Sequence, residues 1–141
     1  MNVLYTAVAT ASGEGRDGRT ASDDGLLDVE VRLPPDLGGP GGATNPEQLF
    51  AAGYAACFHA ALKHLAGPDG LDVSDTEVTM RVALGTSPTG DYGLGVEIDF
   101  LAPHLDSEAA QALLERAHVT CPYSRAIRGN VDVKLHLIEN T

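Results

Sequence analysis

Tryptophan is absent from the 141-residue sequence, cysteine and methionine occur twice each, and aromatic residues make up 5%. No apolar run is long enough to cross a bilayer, which excludes a helical membrane span. Basic residues are scarce as well: nine Lys and Arg stand against twenty Asp and Glu, for a net charge of −11. A surface of that sign repels phosphate backbones and anionic lipid headgroups, so neither nucleic acid nor membrane is the expected partner, and a neutral or apolar substrate suits it better. The first eleven residues are apolar but carry no basic segment of the kind that opens a secretory leader. A cytoplasmic chain with reduced cysteines is the reading that follows. With 43% hydrophobic residues there is enough to build one core, and residues 1–141 read as a single domain without repeats.

Periodicity gives the order of elements. Val3, Tyr5, Ala7 and Ala9 alternate with smaller or polar residues, and after a Gly/Asp-rich stretch Leu27, Val29, Val31 and Leu33 alternate with charged ones, predicting two antiparallel strands. A Pro/Gly loop over 34–42 follows; it lacks the Lys-Ser/Thr of a phosphate loop and reads as a connection. Thr44-Asn45-Pro46-Glu47 then has the chemistry of a helix start, with Asn45 as cap, Pro46 in the first position and acid in the first turn. That helix should run to about Leu65, before Gly67-Pro68, and its nearly all-round apolar, alanine-rich surface predicts burial. The runs Val78 to Leu84 and Leu94 to Phe100 predict a hairpin, Asp106 or Ser107 caps a further helix, and Val131 to Leu137 closes the chain as a strand. The fold class is α+β, with antiparallel sheets around a buried central helix.

Both cysteines sit in distinctive contexts: Cys57 inside the apolar helix and Cys121 before Pro122-Tyr123-Ser124. A thiol becomes a nucleophile only as the thiolate, which needs a helix N-terminus or a cation beside it. Pro122 opens a short helix that stops at Gly129-Asn130, so Cys121 stands where a helix dipole favours the thiolate. Cys57 is too deep in its own helix for that, and an arginine is the obvious source of its activation. A metal is the rival use of Cys with His. Cys57 and His59 are about 200° apart around a helix, and a site built on His118 and Cys121 lacks further thiolates, so no metal is expected. His64, His104 and His136 show no evident partners and read as surface residues.

These residues also carry a resemblance. Gly15-Arg16-Asp17-Gly18-Arg19, Thr44 through Tyr54, Ala56-Cys57-Phe58, and Cys121-Pro122-Tyr123-Ser124 with Gly129-Asn130 resemble, in order and over nearly the whole length, the organic hydroperoxide resistance (Ohr) branch of the Ohr/OsmC family. The resemblance implies an intertwined homodimer and a thiol-dependent peroxidase with no cofactor. By motif, Cys57 is similar to the cysteine that attacks an organic hydroperoxide, and Cys121 to the one that closes an intramolecular disulfide, which a lipoylated protein or other dithiol then reduces. Arg16 and Glu47 match the Arg and Glu that organise the site, with Arg19 as the fallback for Arg16. Glu14, His59 and Arg125 depart from the pattern without removing a functional group. Tyr54, Phe58 and Tyr123 read as pocket wall, a lining that favours bulky alkyl or aryl hydroperoxides over hydrogen peroxide. The chemistry agrees: the Arg16 fork can contact a sulfur and a peroxide oxygen together while a carboxylate fixes its orientation.

Each residue also has a plainer explanation. Free cysteines mostly pack, an acid in a first helical turn favours the helix dipole, and an arginine in a Gly/Asp turn is by default solvated. Glu47 and Cys57 are 57 − 47 = 10 residues apart, about 15 Å along one helix, so direct contact between them is ruled out and a site shared between subunits is the easier arrangement. A redox sensor using the same disulfide and a carrier of apolar ligands are the alternatives to a peroxidase.

Overall fold

Gly15 takes φ 69° as the first of two residues between paired Glu14 and Asp17, the pattern of a II′ hairpin turn, and this places Arg16 at the tip. The hairpin belongs to the first of two compact units in the computed structural model, which describes residues 1–139. That unit is Met1–Leu49 and the second begins at Phe50. In the first, β1 (Ala9–Glu14), β2 (Asp17–Ser22) and β3 (Asp28–Val31) form an antiparallel sheet in that order. Gly18 is required in β2 because a Cβ there would lie 2.2 Å from the Ser12 carbonyl oxygen.

The sheet differs from the expectation at its start. Residues 1–8 lie outside any strand, and Val3, Leu4 and Tyr5 are exposed. The Gly/Asp-rich segment read as the turn between the two expected strands holds most of β1 and all of β2 instead. The tight turn at Gly15 lets β1 and β2 pair locally at little loop-closure cost, an option that apolar alternation does not reveal.

Helix α1 (Pro46–Ala66) starts as expected: the Gln48 backbone N–H donates to Asn45 Oδ1 at 2.9 Å, and Pro46 and Glu47 occupy the first turn. Its burial is one-sided. Tyr54, Phe58, Leu62 and Ala66, four residues apart, form the buried stripe, whereas Ala52, Ala56 and Ala60 are exposed. The all-round burial read from composition is therefore corrected for the described chain. Alanine is compatible with either environment, so an alanine-rich helix does not reveal from composition which of its faces is covered.

In the second unit, β4 (Glu77–Thr86) and β5 (Tyr92–Leu101) form the expected antiparallel hairpin. Helix α2 (Ser107–Thr120) is capped by Asp106, whose carboxylate accepts the Ala109 N–H at 2.8 Å, and α3 (Pro122–Ile127) follows. The closing strand β6 (Asp132–Ile138) pairs with β5 in parallel, Gly95 opposite Asp132 through Leu101 opposite Ile138, so this sheet is mixed rather than wholly antiparallel. Parallel pairing needs a long crossover, and α2 and α3 supply it. Tyr54, Phe58 and Leu62 of α1 pack with Ile98 and Phe100 of β5 and Leu113, Leu114 and Ala117 of α2. Each large apolar side chain so enclosed contributes about 1.5–3 kcal/mol. Cys121, fully buried, belongs to the same core.

Candidate active site

The two cysteines meet. Cys57, on α1 and half-buried, lies with its Sγ 3.7 Å from that of buried Cys121, and both are free thiols. Helix ends fix Cys121: its N–H donates to the Ala117 carbonyl of α2 at 2.8 Å, and its carbonyl accepts the Arg125 N–H of α3 at 2.9 Å. Cys121 is the residue before α3, as read from Pro122, but its side chain makes no capping hydrogen bond. The N–H at the start of that helix serves the other sulfur instead: the Tyr123 backbone N–H donates to Cys57 and draws its pKa down. Burial outweighs this, and with Cys121 alongside, the Cys57 pKa is raised above its ordinary value. A second sulfur in contact disfavours a second negative charge. The pair by itself therefore holds Cys57 as a thiol near neutral pH, and a cation is needed to make it a nucleophile.

Arg16 and Glu47 form a two-pronged ion pair within the first unit, with N···O distances of 2.8 and 2.7 Å. The Arg16 fork holds the Glu47 carboxyl below its usual range, against the opposing effect of partial burial. Of the two arginines considered, Arg19 is committed elsewhere: it grips Asp28 of β3 through two hydrogen bonds. The partner of Glu47 is thus Arg16.

The three aromatic residues are placed differently. Tyr54 and Phe58 are fully buried, while Tyr123 is 43% exposed, its ring centroid 5.8 Å from that of Tyr54. Tyr123 lines an open apolar hollow of about 210 Å³ with Phe50, Ala126 and Ile127.

Two polar residues named in the sequence, Ser124 in its motif and His118 as a metal ligand, have partners beside the thiols that the sequence did not show. Ser124 is fully buried; its Oγ lies 2.6 Å from the Tyr54 hydroxyl and 2.9 Å from His118 Nδ1. The signal was present, since Tyr54 and Ser124 each lie three residues from a cysteine, a spacing that puts side chains on one helical face. His118, considered above only as a metal ligand, bonds Ser124. Burial, then the nearby Arg128 charge, lowers its pKa and favours the neutral ring. His104 and His136, read as unpartnered, bond Asp75 and Glu97, each at 3.0 Å. Both partners are distant in sequence, so spacing could not show them. Among the described residues, no group of three or more His, Cys, Asp and Glu side chains is arranged to hold a metal ion.

Comparison with known proteins agrees with the motifs. The OsmC-like protein family matches residues 39–136. The organic hydroperoxide resistance protein of Xanthomonas axonopodis pv. citri is 50% identical over 137 residues, covering 96% of this chain and 95% of its own. The crystal structure of an organic hydroperoxide resistance protein from Elizabethkingia anophelis superposes with a TM-score of 0.92 at 47% identity, covering 99% of this chain and 100% of that one. The crystal structure of the organic hydroperoxide resistance protein OhrB of Bacillus subtilis gives a TM-score of 0.87, also at 47% identity, over 96% of this chain and all of its own. With its thiol pair, its α+β fold and these relatives together, the chain belongs to the organic hydroperoxide resistance branch of the Ohr/OsmC family.

Proposed function

We propose that the protein detoxifies organic hydroperoxides, as the names of its relatives imply for them, and that it does so as a cysteine-based peroxidase with no cofactor. The observation that carries this reading is the reduced Cys57–Cys121 pair at 3.7 Å within one chain. In the proposed cycle the Cys57 thiolate attacks the peroxide oxygen. The O–O bond breaks, the alkoxide leaves and takes a proton to become the alcohol, and Cys57 is left as the sulfenic acid. Cys121 then displaces the hydroxyl to form the disulfide, and an external dithiol, such as a lipoylated protein, reduces it by exchange.

The raised pKa of Cys57 calls for a cation, and Arg16, oriented by Glu47, is the proposed one. Glu47 and Cys57 stand 57 − 47 = 10 residues apart on α1, about 15 Å along the axis, so these two side chains do not meet along one helix. The site is therefore proposed to be completed in a homodimer, the Arg16–Glu47 pair of one protomer facing the thiols of its partner. The exposed alanine face of α1 is compatible with close approach of a second chain. The hollow beside Tyr123 is the proposed seat of the substrate's organic group, with Tyr54 packed against Tyr123 and Phe58 in turn against Tyr54. No described helix is long and apolar enough to cross a membrane. A cytoplasmic location is part of the proposal, because the cycle needs a reducing dithiol pool.

The test is single-turnover oxidation with cumene hydroperoxide. Cys57→Ser should consume none, and Cys121→Ser should consume one equivalent and stop at the sulfenic acid. Consumption that survives Cys57→Ser would sink the assignment, and sedimentation showing a fully active monomer would sink the shared site.

A further inference from the structure

Cys121 occupies the bend between α2 and α3, with His118 three residues before it and Ser124 three residues after. Those two flanking side chains are bonded to each other across the bend, His118 Nδ1 to Ser124 Oγ at 2.9 Å. Ser124 is bonded in turn to the Tyr54 hydroxyl at 2.6 Å, and Tyr54 lies one turn before Cys57 on α1. Helix α1 therefore meets the start of α3 at two adjacent rungs, the sulfur pair and the hydroxyl pair. Arg128 braces the far end by donating to the His118 carbonyl at 2.5 Å.

With neutral His118 protonated on Nε2, the one hydrogen of Ser124 goes to Nδ1 and Tyr54 donates to the Ser124 oxygen; with the proton on Nδ1 the ring donates to Ser124 instead, and the chain stays bonded in either tautomer. Tyr54 and Ser124 are fully buried and neither is left unsatisfied. Breaking the chain would strand a polar group inside the core, which makes the clamp stiff.

Resting on the peroxidase reading, we infer that the Tyr54–Ser124–His118 chain is a positioning device for the resolving step, holding the Cys121 bend against Cys57 so that the disulfide forms before a second peroxide arrives. In that step Cys121 sulfur supplies an electron pair to Cys57 sulfur and the S–O bond breaks. Hydroxide leaves and takes the Cys121 proton as water; the Cys121 sulfur is oxidised and the sulfenic sulfur reduced. The competing path is a second hydroperoxide oxidising the sulfenic acid to the sulfinic acid, its own O–O bond breaking to give alcohol. Loosening the bend slows only the first path, so the device governs the outcome at high peroxide.

The experiment exposes reduced wild type, Ser124→Ala and Tyr54→Phe to graded cumene hydroperoxide without reductant. It follows thiol loss with time and reads disulfide against sulfinic acid at Cys57 by mass spectrometry. The expected result is a fall of about fivefold or more in the ratio of resolution rate to first-oxidation rate in Ser124→Ala, the size expected from one lost buried hydrogen bond. A smaller fall in the same direction is expected for Tyr54→Phe, which leaves Ser124 bonded to His118 and decides the matter if Ser124→Ala does not fold. A general loss of structure would slow both steps and leave their ratio unmoved, and an unmoved ratio in these variants overturns the inference. Absence of any disulfide in the wild type would instead overturn the peroxidase reading beneath it.

Discussion

Closing the Cys57–Cys121 bond should stabilise the fold by an amount that the sequence separation sets. The loop spans 121 − 57 + 1 = 65 residues. The chain-entropy relation for a loop of that length removes about 14 cal/mol/K from the unfolded ensemble, or about 4 kcal/mol at 25 °C. Unfolding entropy near 2.1 cal/mol/K per residue amounts to about 0.3 kcal/mol/K for this chain, so the ceiling on the rise in melting temperature is about 15 °C. Part of that is offset, because the sulfurs must close from 3.7 Å to about 2.0 Å against a bend held by two helix ends. The expected rise is about 5–15 °C. It is measured by thermal melts of hydroperoxide-oxidised and dithiol-reduced protein at one protein concentration, with Cys121→Ser as control and a non-reducing gel to establish that the bond lies within one chain. A rise below about 2 °C, or an equal rise in Cys121→Ser, would refute the reasoning.

Glu47→Gln tests the ion pair through pH. Arg16 depresses the Glu47 pKa from its ordinary 4.5, so the stabilisation is complete above that value and is lost as pH falls through the lower folded pKa. Urea midpoints should show the wild type more stable than Glu47→Gln by about 1 kcal/mol near neutrality, the gap closing below pH 4.5; a gap constant down to pH 2.5 would contradict the pairing. Tyr123→Ala should remove much of the hollow's apolar wall and lower the preference for cumene hydroperoxide over hydrogen peroxide, as the ratio of kcat/KM, by about tenfold. An unchanged ratio would move the substrate elsewhere.

Most of the fold was legible because its signals are local. Asn45-Pro46-Glu47 determines the start of α1, and Asp106 that of α2, through bonds to N–H groups within the next turn. The β4–β5 hairpin follows from alternation on both sides of a turn. What escaped is non-local or hidden by small residues. The β1–β2 hairpin is written in glycine, serine and alanine, which carry no apolar alternation, while Val3 and Tyr5 carry one with no strand partner among the described residues. The direction of β6 depends on how α2 and α3 return the chain, which no alternation encodes. At the site, Cys57, Cys121, Arg16 and Glu47 were named from motifs. The structure adds that the sulfurs touch and that Arg16 holds Glu47. The spacing of Tyr54 and Ser124 from the cysteines hints at a shared face, but the bonds that join Ser124 to Tyr54 and His118 depend on how α1 meets α3, which spacing does not encode.

The most direct test of the central claim is steady-state consumption of an organic hydroperoxide, compared with hydrogen peroxide, with dihydrolipoamide as reductant and Cys57→Ser as control. The account predicts sustained turnover that favours the organic substrate and vanishes in the variant. One oxidation equivalent per chain followed by silence would contradict it and mark the thiol pair as a sensor.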